Sequence, residues 1–312
     1  MTTAGAPVVR ARRARCPASS ANLGPGFDTL ALALRLYVEV EVRPSERLVV
    51  RSEGEGRDLP GDRTHLGARV AVEVAGTDCL DITVRSEVPV ARGLGSSAAL
   101  AVAAAAAAGS ADPLAVATKV DGHAENAAAS VLGGLVTATI VGRGPVAHRL
   151  ALDDGLTYVV LVPDRALPTV TARHALAASV RHHDAAFNLG RMGLLVAGLG
   201  DRRCLVPEAT QDRLHQEARA PLFPESPALL AGLVDVGARA ACWSGAGPCL
   251  LAICDRGSAR AVREAGERLM AEAGVDGRAL HLDADTTGLV VQDLGSDRPD
   301  SDRPDSDRPA DR

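Results

Sequence analysis

The segment Pro89-Val90-Ala91-Arg92-Gly93-Leu94-Gly95-Ser96-Ser97-Ala98-Ala99 combines three features that a phosphate group needs. Its glycines let backbone N–H groups approach an anion, and two hydroxyls follow directly. An alanine-rich run then predicts a helix from Ser96 to Ala108 whose N-terminus faces the same point. No Gly-Lys-Ser/Thr occurs in the chain, so this is not a Walker A loop, and it is not a Rossmann fingerprint either. Taken alone, a glycine-rich turn before a helix also serves as a tight connection.

Two further segments stand with it, Pro17-Ala18-Ser19-Ser20-Ala21-Asn22-Leu23-Gly24-Pro25-Gly26-Phe27-Asp28 and Ser244-Gly245-Ala246-Gly247-Pro248. In order and spacing, the three resemble the motifs of the GHMP kinases, and the first is similar to the opening of homoserine kinases. Asp121-Gly122-His123-Ala124-Glu125-Asn126 with Leu132-Gly133-Gly134 resembles that family's E-G-H-P-D-N segment and its trailing L-G-G. Thr171-Ala172-Arg173 and Asp212 to Pro221 resemble its T-x-x-A-R and D-x-L-H-x-x-x-R stretches. The resemblance covers roughly residues 15 to 290.

It implies an α+β, two-domain GHMP kinase fold. A ribosomal-protein-S5-domain-2-like ATP-binding domain occupies 1–154 and a ferredoxin-like domain 155–295, with a disordered low-complexity tail at 296–312. The implied reaction is transfer of the ATP γ-phosphate to the hydroxyl of L-homoserine, on the route to threonine. Pro89, Arg92, Gly93, Leu94, Gly95, Ser96, Ser97 and Ala98 then hold the nucleotide, and Ser97 and Asp121 supply the hard oxygens that Mg²⁺ prefers. An amino acid carries a carboxylate and an ammonium, so its site calls for an arginine fork and for carboxylates or amides. The resemblance assigns Asn22, Asp28, His123, Glu125, Asn126, Arg173, Arg219 and Gly245 to the substrate, and Asn126, Arg173 and Ser97 to catalysis. Read without it, the same residues suit a surface arginine, capping Asn or Asp side chains and a core histidine.

Four positions depart from the family pattern. Asp121 stands where Glu is usual, Ala124 where Pro is common, Glu125 where Asp is usual, and Cys249 where Thr or Ser follows Gly-Pro. One presumed ligand is thus shorter by a methylene and another longer, so either the site compensates or the acceptor is a different hydroxylated metabolite. A buried small side chain or a reactive thiol are the readings for Cys249. Lys119 lies two residues from Asp121, so on a helix the two share no face. No catalytic base emerges, in keeping with what is thought of the family, and catalysis is expected to rest on positioning and charge neutralisation.

The elements that must position these residues are partly visible. Tyr37 to Val42 and Leu80 to Val84 alternate as half-buried strands, and Asp112-Pro113 opens a helix running to about Asp121. Leu135 to Val141 and Tyr158 to Val162 read as buried strands, with a turn at Asp153-Asp154-Gly155. Helices are expected at Arg173 to Val180, Phe187 to Leu199, Pro227 to Leu233 and Ser258 to Glu272, and a strand at Leu250 to Cys254. The Ser244 loop falls between a helix and a strand. Mixed elements without a regular strand–helix repeat favour α+β.

Composition excludes other classes. A net charge of −5 argues against a nucleic-acid surface, and Arg10, Arg12, Arg13 and Arg15 read either as a basic arm or as a solvated, frayed terminus. Six cysteines without C-x-x-C spacing suit a reducing cytoplasm. The longest apolar stretch, Ala98 to Ala108, is too short for a membrane span, and no leader opens the chain. The tail from Ser296 has no apolar face to bury and reads as solvated or as an interaction tag. A homodimer is what the resemblance implies for assembly.

Overall fold

The computed structural model describes residues 9–295, and the tail repeat lies outside them. Two sheets organise the chain. The first contains β1 (Arg12–Asn22), β2 (Gly26–Pro44), β3 (Val49–Gly54), β4 (Leu80–Ser86), β5 (Leu135–Val141), β6 (Gly144–Leu150) and β11 (Val290–Asp293). Its path is β11-β1-β2-β4-β3, with β5 on β2 and β6 on β5. Among the described residues only β3 and β4 pair in parallel, and α1 (Leu66–Ala75) supplies the crossover such a pair requires.

Against this sheet lie α2 (Ser96–Ala107), α3 (Pro113–Asp121) and α4 (Glu125–Leu132). Every residue of α2 from Ala98 to Ala107 is buried. A helix apolar on all sides belongs inside, and alanine methyls let strands and helices approach it closely. The alanine run therefore serves packing as well as helix propensity.

The second sheet follows as β7 (Leu156–Pro163), β8 (Ala240–Trp243), β9 (Leu250–Asp255) and β10 (Gly277–Leu282), in the antiparallel order β10-β7-β9-β8. Between these strands run α5 (Thr169–His174), α6 (His182–Gly200), α7 (Gln216–Arg219), α8 (Ser226–Asp235) and α9 (Ala259–Glu272). With helices between β7 and β8 and α9 between β9 and β10, this is the βαββαβ order of ferredoxin-like folds. The chain then returns β11 to the first sheet. A division at 154/155 thus leaves one strand of that sheet in the second half. Among the described residues no helix is long and apolar enough to cross a membrane.

Five sequence expectations need correction. Arg12, Arg13 and Arg15 are not frayed: Ala14 and Cys16 alternate with them into the core, Arg13 pairs with Glu41 at 2.8 Å, Arg12 with Asp293 at 2.8 Å, and Arg15 lies over the Tyr37 ring. The helix expected over Arg173 to Val180 stops at His174, since the exposed Ala177, Ala178 and Val180 offer it no buried face. Only the first half of Leu135 to Val141 is buried, because Ile140 and Val141 reach an exposed hairpin tip. The Ser244 loop joins two strands, β8 and β9, the four-residue β8 being too short to declare itself by alternation. The N-terminal sheet also contains strands, β1 and β3 among them, that the sequence periodicity did not announce.

Candidate active site

A cleft of about 570 Å³ lies over the N-terminus of α2. Gly95 caps that helix in the left-handed conformation, φ 66°, and provides no side-chain cap, so the first-turn N–H groups at Ser96 and Ser97 are left for a ligand. The three glycine-containing segments meet here. Ser19 N donates to Leu94 O (3.1 Å), Ser244 Oγ donates to Gly93 O (2.7 Å) and Cys249 N donates to Arg92 O (3.1 Å). The loop is thereby held from both sides by segments more than sixty residues away in sequence.

Cys249 works through its backbone. Its side chain is fully buried, and burial raises the thiol's pKa far above the ordinary value. Burial favours the small-side-chain reading over a reactive thiol, and the exchange of hydroxyl for sulfur leaves the Arg92 contact intact.

Beyond the loop, Ser97 Oγ donates to Asp121 Oδ1 at 3.1 Å across the α2–α3 junction. Gly122, in the left-handed region, ends α3 and turns the chain so that Asp121, His123 and Glu125 share one wall. His123 Nδ1 lies 2.8 Å from Glu125 Oε1 without hydrogen-bond alignment, and the buried Glu125 Oε2 has no protein partner. Burial raises the Asp121 pKa, only partly opposed by His123, Ser97 and Arg173. For His123 burial acts the other way, but Glu125 and Asp121 prevail and the pKa lies above its ordinary value. The shorter Asp121 still reaches Ser97, and the longer Glu125 still reaches His123.

The far wall comes from the first motif and from α5 and α7. Asn22 and Asp28 adopt left-handed backbone, φ 70° and 50°; Asn22 Nδ2 donates to Gly245 O (2.9 Å) and its Oδ1 accepts from Asp28 N (3.0 Å). Arg173 forms a two-point pair with Asp28, at 2.8 and 3.1 Å. Arg219, 2% exposed, donates to Ala172 O, Gly245 O and His215 Nδ1, and among the described residues no carboxylate pairs with it. Burial, with Arg173 nearby, pushes its pKa down to about 10, so it remains charged at neutral pH. A buried cation lacking a counter-ion is a receptor for an anion.

His215 was not singled out in the sequence, although it sits in the quoted Asp212 to Pro221 stretch. It accepts from Arg219 at Nδ1 (2.9 Å), so Nε2 carries the proton donated to Gly24 O (2.8 Å). Burial pushes its pKa down to about 4, against the pull of Asp212 and with Arg219 reinforcing the shift. A folded-state pKa depressed from 6.5 means that the unfolded chain binds more protons between these values. His215 therefore contributes stability that is present above pH 6.5 and lost as pH falls toward 4. Urea titrations at pH 7 and pH 5 are expected to show the native protein weakened at pH 5, and His215→Gln to flatten that dependence; an unaltered slope in the variant overturns this role.

Of the residues expected from sequence, Asn22, Asp28, Arg92, Gly93, Gly95, Ser96, Ser97, Asp121, His123, Glu125, Asn126, Arg173, Arg219 and Gly245 all line this one cleft. Leu94 and Ala98 do not, because their side chains turn into the core. Pro89 faces an adjoining depression beside Glu55 and Arg278. At the apolar end, Val90, Leu100 and Val120 come from the glycine segment and the expected helices, whereas Leu59 and Leu66 had no sequence signal, since α1 and the loop before it escaped periodicity.

Residues 64–134 match the family model for the GHMP kinases N terminal domain, and 189–272 that for GHMP kinases C terminal. The homoserine kinase of Leifsonia xyli subsp. xyli is 40% identical over 307 residues, 91% of this chain and 92% of that protein. The chain belongs to the homoserine kinase family of GHMP kinases. The homoserine kinase of Streptomyces avermitilis is 44% identical over 274 residues, covering 82% of this chain and 90% of the relative. Among solved structures, a putative homoserine kinase from Listeria monocytogenes superposes with a TM-score of 0.72 at 26% identity, over 90% of this chain and 99% of the other. Homoserine kinase from Cytophaga hutchinsonii has the same fold, TM-score 0.78 at 24% identity, over 94% and 99%. For a GHMP kinase the lone lysine is of no chemical use here: Lys119 is exposed and pairs with Glu73 at 2.8 Å.

Proposed function

We propose that this protein phosphorylates L-homoserine with ATP, giving O-phospho-L-homoserine and ADP. The carrying observation is that one cleft joins an uncapped helix N-terminus to a buried, unpaired arginine. The first suits phosphates and the second a carboxylate. Backbone N–H groups from Gly93 to Ser97 receive the nucleotide phosphates, with Arg92 beside them. Arg219 receives the substrate carboxylate, and the ammonium goes to Asp28 or to the unpartnered Glu125 Oε2. The Arg173–Asp28 pair is partly exposed, so a zwitterion held by Arg219 can also engage it, its carboxylate shared with Arg173 and its ammonium with Asp28.

Ser97 and Asp121 fit a Mg²⁺ site, offering two hard oxygens in the cleft. No cluster of three His, Cys, Asp or Glu side chains able to hold a metal exists among the described residues, so phosphates and water would complete the shell, as Mg²⁺ prefers. When bound, the ion neutralises phosphate charge. The chain's own residues hold the homoserine hydroxyl in line with the γ-phosphorus. The new O–P bond forms as the β,γ-bridge breaks, its electron pair leaving on ADP and the hydroxyl proton passing by way of phosphoryl oxygens to solvent. Residues 1–154 and 155–295 are assigned as the nucleotide-binding and C-terminal domains of this kinase, working in the cytoplasm as a homodimer. Sedimentation equilibrium tests the last point, a monomer overturning it.

The test is ADP release with Mg-ATP and L-homoserine beside L-serine, L-threonine and mevalonate. Homoserine is expected to give the only strong signal. Turnover confined to another acceptor would mean that the Asp121 and Glu125 exchanges have changed the substrate. No turnover at all would leave a nucleotide-binding protein without catalysis.

A further inference from the structure

Ser19 lies on β1, fully buried beneath the phosphate loop, and its hydroxyl donates to Asn126 Oδ1 at 2.8 Å. Its backbone N–H is committed to Leu94 O, and it stands so close to Gly95 that a Cβ there would collide with Ser19 Oγ. On its other side Asn126 places Nδ2 3.4 Å from Glu125 Oε1. Glu125 selects the orientation of the amide, and the Ser19 hydroxyl, able to donate or accept, donates to it in that orientation. Reversed, it would set Oδ1 against a carboxylate oxygen. Asn126 lines the cleft from the first turn of α4, close to Gly95 at the α2 N-terminus.

We propose that Ser19 is a positioning residue that, with Glu125, holds the Asn126 amide so that it presents hydrogen-bond donation to the reacting groups and keeps its acceptor occupied. The inference rests on the kinase reading above. An amide has one acceptor oxygen and two N–H donors. With Oδ1 engaged by Ser19 and one N–H aimed at Glu125, what remains toward the cleft is a single N–H. Such a group can steady a phosphoryl or hydroxyl oxygen as negative charge gathers on it. Ser19, itself outside the cleft lining, thus fixes which atom of the amide faces the reacting groups.

Ser19→Ala frees Oδ1 and removes the hold that keeps the amide N–H aimed at the reacting groups. Its kcat is expected to fall about tenfold, the worth of one hydrogen bond, with both KM values within about threefold of wild type and the melting temperature little changed. Asn126→Ala should lower kcat at least as far, and adding Ser19→Ala to it should cost nothing more, because the hydroxyl acts only through that amide. Additive losses, or a Ser19→Ala effect confined to melting temperature or to KM for ATP, overturn the proposal and leave the kinase reading standing. Homoserine-dependent ADP release by the wild type, measured in the same assay, separates the two: its absence overturns the kinase reading and this proposal together. Should Ser19→Ala fold poorly, Ser19→Cys, with a weak donor of similar size, is expected to show the same kcat loss, and wild-type kcat in that variant overturns the proposal.

Discussion

Gly93→Ala is expected to lower kcat/KM for ATP by about a hundredfold or more, which is what a displacement near one ångström costs an aligned site. Gly93 has φ +82°, and an added Cβ would collide with the Ser244 carbonyl oxygen and lie 2.8 Å from Gly247 N. Both obstacles are backbone, so neither can rotate away. The left-handed conformation adds roughly 1–2 kcal/mol of strain for an L-residue. The loop must therefore move, and with it the N–H groups that meet the phosphates. Gly142→Ala is the matching control: its φ is +63°, nothing lies within 4 Å of the added carbon, and it sits at the β5–β6 hairpin tip. It carries similar strain with no consequence for the cleft. Steady-state kinetics on the two variants compare strain alone with strain at the loop, and normal kcat/KM in Gly93→Ala would remove the loop from phosphate binding.

Arg219→Leu is expected to raise the KM for homoserine about a hundredfold, the loss of a buried charge-assisted pair, while the KM for ATP stays within about threefold. The asymmetry follows from the partners: Arg219 bonds Ala172, Gly245 and His215, and none of the backbone N–H groups of the α2 N-terminus. Stability falls as well. The buried His215 Nδ1 loses its donor, at a cost of about 1–3 kcal/mol, while Gly245 O keeps the bond from Asn22. The unfolding temperature must therefore be measured beside the kinetics, so that a lowered fraction of folded protein is not read as weakened binding. A folded variant with unchanged homoserine KM would take Arg219 out of the substrate site.

What the sequence determined by itself are features whose cause is local. Gly95 before an alanine run dictates a helix start with free N–H groups, and Asp112-Pro113 dictates another, with Asp112 accepting from Ala115 N as a cap. The motif segments and their order were likewise plain, and through them most of the polar residues that line the cleft, though not all of its apolar end. Tertiary structure alone decided the pairings. Nothing local to Ser19 announces that it will meet Asn126, 107 positions later, or that Arg173 will be engaged by Asp28 while Arg219 is left without a carboxylate. Nor could spacing show that His215 would set the orientation of Arg219, or that Cys249 would serve through its amide. The reason is physical: helix starts and turns depend on dihedral preferences of a few neighbouring residues, whereas which polar groups stay unpartnered depends on every element packed around them. That remainder, a buried cation and an uncapped helix end facing one space, is what makes the site.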